Sequence, residues 1–239
     1  MIARRSITGL CTICAMLASA FAAQAASAEV NPTAVTCVPT KGGAFSDFNC
    51  KKNVGTGKGS WEKVNFASVT KITGRSSGNT ILKATTGGAT VELTSTALKA
   101  SGSIENKETG GVMQATGTGQ MEYLSVTANH ECKVNGAGTG TVTTKLLKIH
   151  TLSTTELKFE PNSGTTFAEF TLSSCAIEAF DKTWVISGSV IGTVEGTQTV
   201  FTHAGTTGQE TLEANTGVVA GLEGILELLG ESGSPLALA

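Results

Sequence analysis

The chain is short of the residues that most recognition and catalytic classes depend on. Aromatics make up 5% of its 239 residues and charged residues 15%, and there are 4 prolines. Charge is sparse and nearly balanced, at a formal −2. It therefore lacks the clustered Lys and Arg that nucleic acid or anionic lipid would demand, and it is too uncharged for a coiled coil. No two of Cys37, Cys50, Cys132 and Cys175 stand as Cys-x2-Cys, and none of His130, His150 and His203 has a metal-ligand spacing, so zinc and other metals are not expected. No cofactor is expected either. The 29 glycines follow no three-residue period, which excludes collagen, and a 40% apolar content excludes a disordered chain.

What is abundant is threonine, 37 residues of it, with glycine as punctuation. Threonine favours strands because its branched side chain fits a pleated, half-buried surface. The apolar and polar residues alternate accordingly. Thr90-Val91-Glu92-Leu93-Thr94 sends Val91 and Leu93 to one face, and Glu156-Leu157-Lys158-Phe159-Glu160 does the same with Leu157 and Phe159 before Pro161 ends the run. Residues 183–194 carry apolar groups on both faces and are expected to be one central strand with Trp184 and Ile186 in the core. Further strands are expected over 61–66, 80–84, 97–104, 112–118, 121–126, 141–149, 167–172 and 199–202.

Reversals fall between them at 76–79, Gly87-Gly88, Gly110-Gly111, Asn135-Gly136 and 162–164, where Gly or Asn tolerates positive φ. The tail 217–229 fits a helical stripe as well as a strand, but Gly221 and Gly224 weaken a helix, so strands are the expectation. Strands spaced about 8 to 12 residues apart by such turns predict an all-β, antiparallel sandwich or barrel-like fold, with two packed sheets as one form of it. No repeat of fixed period is present.

The chain opens with Arg4-Arg5, an apolar run from Ile7 to Ala23 and Ala26-Ser27-Ala28, the layout of a secretory signal peptide over residues 1–28. Cleavage there makes Glu29 the first mature residue and leaves 15 basic against 19 acidic residues, a formal −4. The mature part, 29–239, is expected to be one β-rich extracytoplasmic domain without an integral membrane segment, with the glycine-rich stretch 135–140 as the best place for a subdivision.

Cleavage also leaves four cysteines, Cys37, Cys50, Cys132 and Cys175, and an even number in an exported chain implies disulfides. Of the three pairings, Cys37–Cys50 with Cys132–Cys175 closes the smallest loops and is favoured on loop entropy. Each bond would add about 2 to 4 kcal/mol of stability.

Four patterns in the chain bear on chemistry. Gly74-Arg75-Ser76-Ser77-Gly78 matches the hydrolase G-x-S-x-G expression, but a strand follows where the nucleophile elbow needs a helix, so a polar hairpin turn is the better reading. Residues 55–60, Gly-Thr-Gly-Lys-Gly-Ser, lack the ending and the helix of a phosphate loop and read as a surface loop. His130-Glu131-Cys132 reads as a solvent-facing loop. Asp47, Glu62, Glu92, Glu105, Glu122, Glu160 and Glu169 include any carboxylate pair a glycosidase would need, although strand alternation puts most of them on the wet face. No catalytic residue is assigned.

Cys37 with 42–50, Gly-Gly-Ala-Phe-Ser-Asp-Phe-Asn-Cys, then Trp61-Glu62, Phe159-Glu160-Pro161 leading to Phe170 and Cys175, and Val185–Ile191 with a later Gly208-Gln209 form a pattern over most of the mature chain. That pattern resembles uncharacterised secreted β-rich proteins of high-GC soil actinobacteria, a group without assigned activity. The resemblance implies export and β structure. Members of that group often have a further cysteine shortly before the position of Cys132, which this chain lacks.

The expected function is that of a non-catalytic secreted or cell-surface β protein. It would bind an envelope component, a small ligand or another copy of itself. Two alternatives stay open: a secreted hydrolase with a carboxylate pair or dispersed triad, and a subunit of a surface layer or fibre whose open strand edges pair between chains.

Overall fold

The computed structural model describes residues 32–66, 68–202, 212–215, 217–231 and 233–239. The leader, the expected cleavage point after Ala28, His203 and Gly208-Gln209 lie outside the described residues. The fold is all-β and antiparallel. Its strands are β1 (Ala34–Gly43), β2 (Gly59–Asn65), β3 (Thr70–Ser76), β4 (Thr80–Thr86), β5 (Ala89–Thr109), β6 (Val112–Ala128), β7 (Lys133–Val134), β8 (Gly140–Thr143) and β9 (Leu147–Ser153). There follow β10 (Glu156–Pro161), β11 (Thr166–Ser173), β12 (Lys182–Gly188), β13 (Val190–Glu195), β14 (Gln198–Thr202), β15 (Leu212–Ala214), β16 (Val218–Gly230) and β17 (Leu236–Leu238). Among the described residues no helix is long and apolar enough to cross a membrane.

The large sheet closes on itself twice. In the first circuit β3, β5, β6, β9, β10, β13, β14 and β16 are hydrogen-bonded in that order, and β16 returns to β3. We call it ring one. The second circuit, ring two, runs β4, β5, β6, β8, β11, β12, β15, β16 and back to β4. Its one thin joint is β8 to β11, bridged at Thr144 and Ala168 with the Lys145 amide donating to the Phe167 carbonyl at 2.8 Å. Even numbers of antiparallel strands close without an open edge.

Three strands belong to both rings. β5 pairs β4 through residues 89–95 and β3 through 99–104, while its other edge holds β6 in one register from Leu93↔Ala128 to Thr109↔Val112, interrupted at Thr96 and Ser125. The hairpin turns at Gly110 and Gly111, with φ of 65° and 85°, as a two-residue reversal of twisted strands requires. β16 changes partners on both edges near Gly224: β15 gives way to β14, and β4 to β3. Gly224 has φ +153°, and a Cβ there would press on Thr80. A side chain would be strained at this switch.

A separate sheet, ordered β17-β1-β2, lies against ring one. Asn106 of β5 is the joint: the Ala34 amide donates to its Oδ1 at 2.7 Å, and its Nδ2 donates to the Ala34 and Phe66 carbonyls at 2.9 and 3.3 Å. The disulfides are Cys37–Cys50 and Cys132–Cys175, closing spans of 13 and 43 residues.

Several local expectations are corrected. Residues 183–194 are two strands, broken at Gly188-Ser189. The expected strands over 112–118 and 121–126 are one, with Gly119 inside the ladder rather than at a turn, and 90–94 and 97–104 are likewise one, continuing through Ser95-Thr96. A Cβ on Gly102 would collide with the Thr118 carbonyl oxygen, so these glycines permit a close approach of backbones. Residues 141–149 are split between β8 and β9, since the chain changes rings at 144–146. β1, β3, β7, β15 and β17 are strands beyond those expected from the sequence. Residues 135–140 reverse between β7 and β8, and both strands belong to the large sheet.

Candidate functional site

Period-two alternation turns one face of every ring strand inward, and the inward residues are apolar. The two interiors differ in how well they are filled. Ring one encloses a space of about 10 Å³ lined by residues such as Ile72, Leu147, Phe159 and Leu226, too small to matter beyond one water. Ring two encloses about 40 Å³, and each of its eight strands contributes to the wall: Leu82, Leu93, Tyr123, Val142, Phe167, Ile186, Leu212 and Leu222 represent them in order around the circuit.

Polar atoms in that wall are few. Thr80, Ser95 and Tyr123 carry the hydroxyls. Ser95 donates to the carbonyls of Ala97 and Leu124, both at 2.7 Å, so its demand is met inside the sheet. Tyr123 is 8% exposed. Its hydroxyl donates to Met121 Sδ at 3.7 Å, two residues back on the same face of β6. A thioether is a weak acceptor. Burial pushes the phenol above its ordinary pKa, because the phenolate would be stranded without solvent.

The second cluster is charged and lies on β9 and β10. Register puts Glu160 opposite Lys148 and Lys158 opposite His150. Lys158 Nζ is 2.9 Å from Glu160, Lys148 Nζ 3.6 Å and His150 Nδ1 3.7 Å. Partial burial raises the Glu160 pKa, but the hydrogen bond and charge of Lys158, helped by His150 and Lys148, outweigh it and hold the carboxyl below its usual value. Glu160 also lines an open cleft of about 370 Å³ with Ser187, Ser189 and Glu213. Glu213 was not among the carboxylates singled out from sequence.

The third cluster is aromatic. Phe48, 57% exposed, stands edge-on to Trp61 at 6.4 Å, and Lys63 lies over the Phe45 ring at 5.7 Å. This loop is held by the Cys37–Cys50 bond and by Asp47, whose carboxylate accepts the Lys52 and Lys51 amides at 2.7 and 3.2 Å. Those amides, Lys52 first, keep Asp47 ionised below the usual range.

The remaining sequence candidates are not brought together. Ser76 is in β3 and its Oγ accepts the Leu98 amide at 2.9 Å, with the turn falling after it. Gly59 and Ser60 open β2, and 55–58 form the loop before it. Glu62 accepts the Ala44 amide, and Glu92 shares Lys83 with Glu223. His130 and Glu131 lie in the turn after β6, where Glu131 is exposed and His130 is half-buried, its Nε2 3.1 Å from the Thr90 carbonyl and its ring packed on Phe180 at 5.4 Å. Cys132 is in the second disulfide. Among the described residues no three His, Cys, Asp or Glu side chains converge as a metal cage.

Compared with known proteins, the chain matches no family model, no curated protein and no solved structure.

Proposed function

We propose that this is a secreted or cell-surface β protein that works by binding and does no covalent chemistry, exported by the leader 1–28. Two disulfides fit a protein outside the cytosol, where thiols oxidise and bonds persist. The reading rests chiefly on the contrast between interior and surface: both ring interiors are walled by apolar side chains, while Asp47, Glu160 and Glu227 are committed to backbone amides or cations. Groups so engaged hold shape. The expected partner is an envelope component, a small ligand or a second copy of the chain. Purified mature protein screened against envelope polysaccharides, lipids and secreted proteins should bind one class without altering it. Turnover of any substrate, with binding to none of them, would overturn this.

A hydrolase is the second reading, favoured by Glu160 and Glu213 lining one cleft. Glu160, kept ionised, would be the nucleophile or base, and Glu213 the acid. On that reading Glu160→Gln and Glu213→Gln each abolish glycoside turnover; if the wild type turns over no glycoside, the reading falls. A fibre subunit is the third, because among the described residues the edge of β2 away from β1 is met only near Trp61, by Phe45. Concentration-dependent growth in solution scattering would favour it.

A further inference from the structure

The near-zero net charge of the chain conceals an uneven distribution. Residues 41–63 hold five lysines, Lys41, Lys51, Lys52, Lys58 and Lys63, against Asp47 and Glu62, a formal +3. The rest of 29–239 has 10 basic and 17 acidic residues, a formal −7. This corrects the expectation of no clustered cations. The segment is also one structural unit, running from the end of β1 through the disulfide loop into β2. All five lysines are exposed. Among the described residues the ion pairs involve Arg75, Lys83, Lys148, His150 and Lys158, and none of these five. Both acids of the segment are engaged by backbone: Asp47 accepts the Lys51 and Lys52 amides, and Glu62 the Ala44 amide.

The same unit keeps aromatic surface open. Phe48 leaves 57% of its surface to solvent, and it meets Trp61 at 64° rather than stacking on it. A loop free to collapse would bury such a ring. This loop is held open by the Cys37–Cys50 bond, by the Asp47 hydrogen bonds and by Phe45, whose backbone pairs with Trp61 on one side and Asn53 on the other. A surface fixed in advance loses less entropy when it binds.

We infer that residues 41–63 form a docking surface for an acidic polysaccharide, a sugar polymer with repeated carboxylate or phosphate groups. The inference rests on the binding reading of the protein and names the class of envelope component. Cations placed at intervals from Lys41 to Lys63 suit charge repeated along a polymer better than one small anion. The slightly positive C–H groups of a sugar ring pack on the negative face of an aromatic ring. A lipid surface fits less well, since interfacial binding needs an apolar face and Phe48 is the one strongly exposed large apolar side chain of the unit. Nucleic acid offers charge and stacking too, but the two disulfides fit a protein outside the cytosol.

The test is titration calorimetry on the disulfide-intact protein with polygalacturonate, a phosphomannan, neutral dextran, oligo(dT) and phosphatidylglycerol vesicles. One of the two acidic polymers should bind and dextran should not. Raising salt from about 50 to about 500 mM should weaken binding about 10-fold or more, because exposed charges are screened. Binding of neither acidic polymer, equal binding of dextran, or a preference for oligo(dT) or vesicles overturns the inference. The triple variant Lys51→Gln, Lys52→Gln, Lys58→Gln should bind about 10-fold more weakly, each exposed ion pair being worth about 1.5- to 5-fold. Phe48→Ala should lose about 5-fold with its salt dependence unchanged, as an aromatic contact would. Lys99→Gln, Lys107→Gln, Lys133→Gln removes as many exposed charges from the large sheet and should change nothing; an equal loss there overturns the location. All of these side chains are exposed, and melting curves report that each fold is kept. Cleavage of the polymer by the protein would remove the non-catalytic reading and leave the surface in place. Binding of another partner through other residues would keep that reading and end this inference.

Discussion

Trp184 shows how much one side chain carries. It is 1% exposed, its Nε1 donates to the Phe180 carbonyl at 3.1 Å, and it packs on Phe170 and Phe180. Trp184→Ala should cost about 3 to 5 kcal/mol by denaturant titration, from lost burial and the void left behind. The surface carboxylates act through pH. Glu160 and Glu227 both have pKa values lowered on folding: in Glu160 the cations outweigh burial, and in Glu227 Arg75 and then Gln198 lead. Their stabilisation is complete above the ordinary carboxylate pKa, near 4.5, and is lost as pH falls through the lower folded values. The melting temperature should therefore drop between pH 5 and the acid limit, with a shallower drop in Glu160→Gln. Of these residues, the core ones were legible, because Val91, Leu93, Leu157, Phe159, Trp184 and Ile186 obey the period of a strand. The Glu160 cluster and Tyr123's place were not, since Lys148, His150 and the far wall of ring two arrive by cross-strand register.

At the level of elements, Gly119 resembles an interruption in sequence, yet with Gly102 and Gly117 it lets β5 and β6 approach closely along one long ladder. Gly102→Val should cost about 1 to 3 kcal/mol in overpacking, measured as a fall in unfolding midpoint, whereas Gly87→Ala at an open turn should cost less and mainly through its φ of 58°. The tail illustrates the converse. Leu222, Leu226 and Leu228 of β16 are buried on strand spacing, and the helical stripe in the same residues is an accident of leucine density. β14 is the shortest strand that closes ring one, paired to β13 and β16 on its two edges. Val200→Pro must remove a ladder hydrogen bond from one of them, and broad, non-cooperative melting is the expected result.

For the molecule as a whole, sequence gave the class of fold and the cysteine pairing by loop length, but not the two circuits. Turns and alternation are local, while β14–β16, β3–β16 and β4–β16 join segments far apart in the chain. Nothing in a window of a dozen residues carries that information. Removing the larger covalent loop, with Cys132 and Cys175 both changed to Ala, should lower stability by about 2 to 5 kcal/mol, and intact mass with and without reductant should count two bonds in the wild type.

The threading of β16 through both rings sets an order of events. Residues 218–230 follow every other ring strand in the chain, so neither barrel can shut until this last long strand has been made and has joined them. Until then β3 and β4 each present a bare edge to whatever is nearby. A form of this chain that still lacks the strand is accordingly a template for strand capture. Its last long segment serves as the latch that ends that hazard, and a chain stopped before residue 218 should aggregate.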